Sequence, residues 1–342
     1  MPEDRTRAAP VLEVEQLQVT IGDSFPVIQD VSLRIDRGEI VALVGESGSG
    51  KSLTARSIMR LLPDGITATG GRISICGEDV LAAPPRALRR VRGNKVGMIF
   101  QQPRSMLDPT CKVAPQVGES LRQHLGASRG SAWTRAVELL RAVGIPDPEH
   151  WARSYAHQLS GGMAQRVMIA AALSGNPDLL IADEPTTALD VTVQAQILQL
   201  LERERRERDL SILLITHDLS VVSVMADRVA VMYAGTIIEQ GPTQAVLKSP
   251  QHPYTVALTR CSLMGSDEAG GFYSIPEAAS LPRDRHAGCR FHARCHVAAA
   301  EGVDAHCASR MPAPSPSGED HWVRCWAAEG RATPCRPRGR VH

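Results

Sequence analysis

Residues 41–54 read VALVGESGSGKSLT, an apolar run followed by a glycine-rich stretch and then by a lysine and a serine. Residues 41–44 are continuously apolar, as buried parallel strands are, and residues 53–62 are consistent with a helix that buries one face. Glycines between a strand and a helix let the backbone turn tightly and present its N–H groups, which form an anion site with the helix N-terminus. The pattern therefore predicts a phosphate-binding loop within an α/β fold.

This phosphate loop, residues 45–52, is predicted to bind a nucleoside triphosphate. Lys51 can reach the β- and γ-phosphates, and the Ser52 hydroxyl can coordinate Mg²⁺. The predicted nucleotide contacts of the loop are Gly45, Glu46, Ser47, Gly48, Ser49, Gly50, Lys51, Ser52 and Leu53.

Strand-like and helix-like segments alternate along most of the chain. Patterns of apolar residues predict strands at 11–21, 72–76, 178–183 and 211–216, with helices between the later ones. This βαβ alternation favours a mainly parallel sheet. Strand patterns are absent from about 103–163, which predicts a helical insertion.

The composition changes beyond about residue 250, where Pro, Gly, Cys and His become frequent. Such a segment is not expected to build a large core of its own. We therefore expect a nucleotide-binding domain at 11–250, a small C-terminal extension at 251–330 and a disordered basic tail at 331–342.

The 342-residue chain has a formal net charge of +1, which provides no global attraction for nucleic acid. No apolar run approaches the ~18 residues of a membrane-spanning helix, and the N-terminal sequence MPEDRTRAAP lacks the apolar region of a secretion signal. We expect a soluble, cytosolic chain without a nucleic-acid partner, whose action at a membrane passes through partner subunits.

Two carboxylates end a second apolar strand in LLIADE, residues 179–184. A carboxylate at a strand end facing a phosphate site can hold Mg²⁺ directly or through water, and this role is predicted for Asp183. Glu184 is the predicted general base that polarises the attacking water.

A second anion site is predicted in LSGGMAQR, residues 159–166, where Ser160, Gly161 and Gly162 open a helix. One bound nucleotide does not need two phosphate-binding helix starts from the same chain. Dimerisation resolves this, because each subunit can offer its second site to the nucleotide of its partner.

Two polar residues directly follow predicted strands. Gln101 follows the strand at 95–100 and can sense Mg²⁺ or the attacking water. His217 follows the strand at 211–216 and can hydrogen-bond the γ-phosphate. A lone Gln or His is usually structural, so these roles depend on the other motifs.

Together these motifs resemble the nucleotide-binding subunit of ATP-binding-cassette (ABC) transporters, over roughly residues 11–250. In that family the phosphate loop is Walker A, LLIADE is Walker B, LSGGMAQR is the signature, Gln101 is the Q-loop residue and His217 is the switch histidine. TALD at 187–190 resembles the D-loop, in which Asp190 shapes the dimer contact. The resemblance implies a P-loop NTPase (RecA-like) core with an antiparallel β subdomain and a helical insertion. It also implies ATP as substrate, and Mg²⁺ held by Ser52, Gln101 and Asp183.

A narrower resemblance is to the peptide-importer branch, which includes dipeptide, oligopeptide and nickel uptake systems. It is carried by IADEPTTALDVTVQAQIL, by KSPQHPYTVAL at 248–258 and by LPRDRHAGCRFHARC at 281–295. SGGM in place of SGGQ resembles the D-type subunit of the D/F pair. This implies a second, F-type ATPase subunit, two membrane permease subunits and an extracytoplasmic substrate-binding protein. The chain would lie peripherally on the cytoplasmic face of the membrane, with peptides as the expected cargo and nickel or another small solute as the alternative.

Three positions depart from the family pattern. The aromatic residue that usually stacks on adenine is replaced by Ile21, with Phe25 as a nearby substitute. FQQPRSMLDP leaves Gln102 open as an alternative to Gln101, and Ala164 stands where the branch often has Arg.

Cysteines are concentrated near the C-terminus. Cys289, Cys295, Cys307 and Cys325 are separated by 5, 11 and 17 residues, without the C-x₂-C spacing of a zinc ribbon. Four thiolates can hold zinc or an iron–sulfur cluster, and in the resembling branch this set is associated with a structural 4Fe–4S cluster. Zinc and the absence of any metal are the alternatives.

Two other classes of function share parts of these motifs. A soluble ABC ATPase acting on DNA or ribosomes usually has two cassettes or a long coiled-coil insertion, and neither is visible here. A regulatory protein that binds ATP without turnover would not need Glu184. The sequence therefore favours an ATPase that drives import.

Overall fold

The computed structural model describes residues 9–22, 24–186, 189–262 and 288–328. Its strands in chain order are β1 (Leu12–Ile21), β2 (Phe25–Ile35), β3 (Ile40–Val44), β4 (Ile66–Ile75), β5 (Glu78–Asp79), β6 (Val96–Ile99), β7 (Leu179–Asp183), β8 (Ser211–Ile215), β9 (Arg228–Tyr233), β10 (Thr236–Pro242), β11 (Ser315–Gly318) and β12 (His321–Val323). Its helices in chain order are α1 (Lys51–Ile58), α2 (Pro85–Val91), α3 (Pro103–Met106), α4 (Val113–Val117), α5 (Glu119–His124), α6 (Arg129–Ala142), α7 (Pro148–Arg153), α8 (Gly161–Ser174), α9 (Val191–Arg208), α10 (Leu219–Met225), α11 (Thr243–Lys248), α12 (Pro253–Ser262), α13 (Val297–Ala300) and α14 (Asp304–Ser309).

The N-terminal strands form a four-stranded antiparallel sheet in the order β2-β1-β4-β5. Its apolar face packs against α1 and the main sheet, where Leu12 and Ile28 are fully buried beside Ile58. Strand β4 begins at Ile66, earlier than the predicted 72–76. Its residues before Ile73 are exposed or half-buried, so this part of the strand lacks the continuous burial of residues 73–75.

The main sheet has eight strands in the order β11-β12-β10-β9-β3-β8-β7-β6. Strands β9, β3, β8, β7 and β6 are parallel, and β10, β12 and β11 continue the sheet in antiparallel pairs. The central strands β3, β7 and β8 are buried at every residue, as expected for a sheet covered on both faces. The predicted α/β fold class is confirmed.

Helices α3 to α7 occupy residues 103–153 and pack with α8 and α9 on one face of the main sheet. Their shared core includes Val113, Leu140, Ile169 and Ile197, each at most 1% exposed. Among the described residues, no helix combines the length and apolar character needed to cross a membrane.

The C-terminal extension joins the main sheet through β12, in which Val323 pairs with Glu239 and Trp322 pairs with Gln240 of β10. Its own buried cluster is small and consists of Val297, Val323, Cys325 and Ala327. Phe291 instead packs into the core next to β9 and α12. The described part of the extension is therefore held largely by contacts with the main sheet.

Candidate functional site

The phosphate loop connects β3 to α1 and depends on glycine at its first position. Gly45 has φ +152°, and a Cβ there would lie 2.1 Å from the carbonyl oxygen of Met232 on β9. Gly48 and Gly50 also have positive φ, at +77° and +108°. The loop therefore takes a backbone path in which the neighbouring strand excludes a side chain at Gly45.

Lys51 begins α1 and turns back toward the loop. Its ammonium donates to the carbonyl oxygens of Gly45 at 2.7 Å and Glu46 at 2.9 Å, and Ser49 Oγ lies 3.4 Å away. Burial lowers the pKa of Lys51, against the opposing effect of the carboxylates of Glu184 and Asp183. Of the other predicted loop contacts, Ser47 is exposed and Leu53 is half-buried.

Ser52 and Asp183 meet across the two neighbouring elements α1 and β7. The Ser52 hydroxyl donates to Asp183 Oδ1 at 3.1 Å, and Asp183 is only 3% exposed. Burial raises the pKa of Asp183, while the hydrogen bond from Ser52 opposes this. A hydroxyl and a carboxylate side by side are oxygen ligands of the kind that Mg²⁺ uses, so this pair fits the predicted ion.

Glu184 lies between two other predicted site residues. Gln101 Nε2 donates to Glu184 Oε2 at 3.2 Å, and His217 Nδ1 lies 3.4 Å from Glu184 Oε1. These three residues follow the neighbouring parallel strands β6, β7 and β8, whose carboxyl ends share one edge of the sheet. Glu184 has a left-handed φ of +51°, and its amide donates to the carbonyl of Ile215 at 2.9 Å, which directs the chain toward His217.

Gln102 occupies a different position from its neighbour. It caps the N-terminus of α3 with its backbone, and its carbonyl accepts a hydrogen bond from Ser105 at 2.9 Å. The geometry thus brings Gln101 to Glu184 and leaves Gln102 at the entrance of the helical segment.

The signature residues open α8 on an exposed surface. Ser160 caps the helix and its hydroxyl accepts a hydrogen bond from the Met163 amide at 3.3 Å. Gly161 is exposed and Gly162 is half-buried. Deeper in the helix, the buried Gln165 donates to the carbonyl of Pro185 at 2.7 Å, which links the signature helix to the segment after Glu184.

The predicted D-loop is only partly within the described residues, because Thr187 and Ala188 lie outside them. Asp190 caps α9 by accepting a hydrogen bond from the Val193 amide at 3.0 Å. Leu189 lies beside the signature, since a Cβ on Gly162 would be 3.4 Å from its Cδ2. The D-loop and the signature thus border the same surface.

Ile21 and Phe25 pair with each other at the end of the β1–β2 hairpin. Their exposed fractions are 44% and 42%, so both present apolar surface to solvent.

Two residues that touch the phosphate loop were missed by the sequence analysis. The Glu46 amide donates to the Tyr254 hydroxyl on α12 at 2.8 Å. The Glu46 carboxylate pairs with the Arg294 guanidinium through two contacts of 2.9 and 3.1 Å. Tyr254 lies in the quoted HPY sequence, but nothing in its local pattern indicates a contact 208 positions away.

A buried carboxylate fixes the backbone at the HPY sequence, residues 252–254. Glu239 is fully buried and accepts hydrogen bonds from the amides of Gln251 at 2.8 Å and His252 at 2.9 Å. His321 of β12 contacts the same carboxylate through Nε2 at 2.9 Å. Glu239 thereby links β10 to the start of α12 and to β12. Tyr254, which contacts the phosphate loop, lies two residues after His252.

The four predicted cysteine ligands converge in the extension. The Cys289 amide donates to the carbonyl of Cys307 at 2.7 Å. Burial raises the pKa of Cys289 and Cys325 to about 12 and that of Cys307 to about 11, with neighbouring thiols adding to each shift. Burial also raises the pKa of Cys295.

No three His, Cys, Asp or Glu side chains in the described parts of the chain are arranged to hold a metal ion. The described geometry therefore contains no preformed site for the predicted iron–sulfur cluster or for zinc.

Comparisons with known proteins agree with these motifs. A family profile described as ABC transporter matches residues 28–187, and one described as the C-terminal region of oligopeptide/dipeptide transporters matches residues 238–301. The probable D,D-dipeptide transport ATP-binding protein DdpD of Escherichia coli (strain K12) is 45% identical over 328 residues, covering 93% of this chain and 96% of DdpD. A putative peptide import ATP-binding protein of Brucella abortus (strain 2308) is 44% identical over 335 residues, covering 92% of this chain and 96% of its own length.

Solved structures extend the similarity to the fold. The dimeric ATP-binding cassette MJ0796 bound to ADP and Pi matches with a TM-score of 0.62 and 30% identity, covering 68% of this chain and 98% of that one. CbiO1 of Clostridium perfringens, part of the ABC transporter complex cbiONQ, matches with a TM-score of 0.59 and 29% identity, covering 70% of this chain and 91% of that one. The chain is therefore an ATP-binding protein of the ABC transporter family and belongs to its dipeptide and oligopeptide importer branch.

Proposed function

We propose that this chain hydrolyses ATP as one of two ATPase subunits that power the import of dipeptides or oligopeptides. The match of its C-terminal region to oligopeptide/dipeptide transporters supports this cargo class, as do relatives described as D,D-dipeptide transport and peptide import proteins. In this proposal residues 11–250 form the nucleotide-binding unit, and residues 251–330 form the extension typical of the branch.

The contact of Glu184 with both Gln101 and His217 is the observation that carries the proposed chemistry. Glu184 acts as the general base, Gln101 orients it and senses the reacting water, and His217 holds the γ-phosphate. Lys51 and the loop amides offset negative charge on the phosphates. When bound by Ser52 and Asp183, with Gln101 nearby, Mg²⁺ supplies Lewis-acid neutralisation of that charge.

The helix start at Ser160, Gly161 and Gly162, in which the first two residues are exposed, supports a dimer in which each signature faces the nucleotide of the partner. Asp190 and Leu189, at the same surface, would shape the seam. The related cassette MJ0796 is dimeric, and the proposed partner here is an F-type ATPase subunit. ATP closes the pair, and hydrolysis removes the charge interactions that hold it closed.

Two permease subunits and an extracytoplasmic substrate-binding protein complete the proposed importer. The chain would lie on the cytoplasmic face of the membrane and pass the motion of Gln101 to the permeases through α3 to α7. Selection of the cargo would then reside in the permeases and the binding protein.

The test is uptake by the complete complex in vesicles that contain ATP, with dipeptides, longer peptides and Ni²⁺ offered separately. We expect peptide-stimulated ATP hydrolysis and uptake of peptide. Glu184→Gln should reduce hydrolysis on the order of 10²- to 10⁴-fold and accumulate a closed, ATP-loaded dimer. Uptake of Ni²⁺ but not of peptide would overturn the proposal that peptides are the cargo. ATP hydrolysis at the wild-type rate by Glu184→Gln would overturn the assignment of Glu184 as the general base.

We also propose that Cys289, Cys295, Cys307 and Cys325 bind a 4Fe–4S cluster, or alternatively zinc, when thiolates replace the buried thiols. The four cysteines converge in a segment with a small apolar core, which supports a structural role for such a metal site. Protein purified without oxygen should contain iron and sulfide and show a visible absorption band that Cys289→Ser abolishes. Stoichiometric zinc would favour the alternative, and metal-free native protein would overturn both.

A further inference from the structure

Arg294 of the C-terminal extension makes a two-pronged ion pair with the phosphate loop. Its Nη1 lies 2.9 Å from Glu46 Oε2, and its Nη2 lies 3.1 Å from Glu46 Oε1. Such bidentate pairs fix the geometry of both partners as well as compensating their charge. The Arg294 side chain is 11% exposed and the Glu46 side chain is 34% exposed, so solvent screens the pair in part from the side of the carboxylate.

Aromatic residues of the core hold the Arg294 guanidinium in place. It lies 5.8 Å from the ring centres of both Tyr233 and Phe291, and it also donates to the Tyr233 hydroxyl at 3.3 Å. The backbone is fixed by a tight turn in which the Arg294 amide donates to the carbonyl of Phe291 at 2.9 Å. Both the backbone and the side chain of Arg294 are therefore fixed where it contacts the phosphate loop.

The charge on Glu46 matters because the residue directly follows Gly45 in a loop that must accept a polyphosphate. An uncompensated carboxylate at this position would repel the phosphates. Lys51 Nζ bonds the carbonyl oxygen of Glu46, and Arg294 makes the bidentate ion pair with the Glu46 carboxylate. Tyr254 holds the amide of the same residue, and the extension and α12 therefore fix both ends of Glu46.

We propose that Arg294 is a positioning residue for nucleotide binding, which neutralises Glu46 and holds its side chain in place. The C-terminal extension thereby completes the phosphate loop of the ATPase. This inference deepens the proposed function and rests on ATP being the substrate. It gives the extension a direct role at the nucleotide, separate from any metal that its cysteines bind.

The experiment measures ATP affinity and turnover of the assembled complex, with the partner ATPase present. We expect Arg294→Ala to raise the Kd and KM for MgATP by about tenfold while kcat changes by less than about twofold. In a chain that already carries Glu46→Gln, the same Arg294→Ala change should raise KM by less than about twofold, because no carboxylate then needs compensation. Arg294→Lys should restore part of the affinity.

Arg290→Ala is the matched control, because Arg290 lies on the same segment and bonds to Gln29 of β2. It should leave the KM for MgATP unchanged. If Arg294→Ala does not fold, Arg294→Gln, with and without Glu46→Gln, provides the same comparison. An unchanged KM in Arg294→Ala, or an equal loss with and without Glu46→Gln, would overturn the proposal. Failure of the wild-type complex to hydrolyse ATP would instead overturn the proposed function.

Discussion

The side chains of Gln101 and Glu184 meet at 3.2 Å although the two residues are 83 positions apart. They follow the paired parallel strands β6 and β7, so the sheet itself brings the amide to the carboxylate. This contact distinguishes Gln101 from Gln102, which the sequence leaves as an alternative.

Replacing the two glutamines separately tests that distinction. Gln101→Ala should lower kcat for ATP hydrolysis by about tenfold or more, because Glu184 loses the amide that orients it. Gln102→Ala should have a much smaller effect on kcat, since Gln102 caps α3 and its contact there is made by its backbone carbonyl. Steady-state ATPase assays of the complex measure both, and an equal loss in the two variants would contradict the assignment.

Gly45→Ala should destroy the phosphate loop. The new methyl group would lie 2.1 Å from the Met232 carbonyl oxygen, which is backbone and cannot turn aside. ATP binding, followed by calorimetry, should become undetectable. Gly48→Ala is the comparison for folding, because its Cβ would meet no atom within 4 Å. It should cost only the backbone strain of about 1–2 kcal/mol in the free energy of unfolding.

Tyr254→Phe should weaken the anchoring of Glu46. The substitution keeps the buried ring and removes the hydroxyl that accepts the Glu46 amide at 2.8 Å. We expect a loss of about 1 kcal/mol in the free energy of unfolding and a weaker affinity for MgATP. Denaturant titration and nucleotide binding measure the two effects. Tyr155→Phe on an exposed ring is the control, and equal behaviour of the two variants would argue against the anchor.

Glu239→Ala should be strongly destabilising. It removes a fully buried carboxylate and leaves the amides of Gln251 and His252 without their acceptor. The expected loss is about 3–5 kcal/mol in the free energy of unfolding. Glu319→Ala, on an exposed turn of the extension, should change stability by less than about 0.5 kcal/mol. A similar loss in both variants would show that the buried contacts contribute little.

Acid should destabilise the protein through His252. Burial lowers the pKa of His252 to about 3, whereas the ordinary value of about 6.5 applies to the unfolded chain. Between these values the unfolded state binds the extra proton, so stability is full above about pH 6.5 and falls as the pH decreases. From pH 7 to pH 5 this residue should cost about 2 kcal/mol in the free energy of unfolding.

Asparagine at this position tests the acid effect, because His252→Asn keeps an acceptor for the Tyr254 amide that now bonds His252 Nδ1 at 3.0 Å. Urea titrations at several pH values should show a shallower loss of stability below pH 6.5 in the variant than in the wild type. Parallel curves would contradict the buried, neutral state of His252.

The amino-acid sequence alone determined the local parts of this protein. The apolar run before Gly45 and the lysine–serine pair after Gly50 predict strand, loop and helix because they are neighbours in the chain. The same holds for the carboxylates that end β7 and for Ser160, which caps α8. Short-range periodicity and turn chemistry suffice for such elements.

Only the tertiary structure decided which of these parts meet. The strand order β8-β7-β6 brings His217, Glu184 and Gln101 together, and the packing of the extension brings Arg294 to Glu46 across 248 positions. Neither contact can be predicted from local sequence periodicity, because the first depends on the strand order of the sheet and the second on long-range packing. The fold likewise brings the Cys289 amide to the carbonyl of Cys307, without arranging three of the described His, Cys, Asp or Glu side chains around a metal ion.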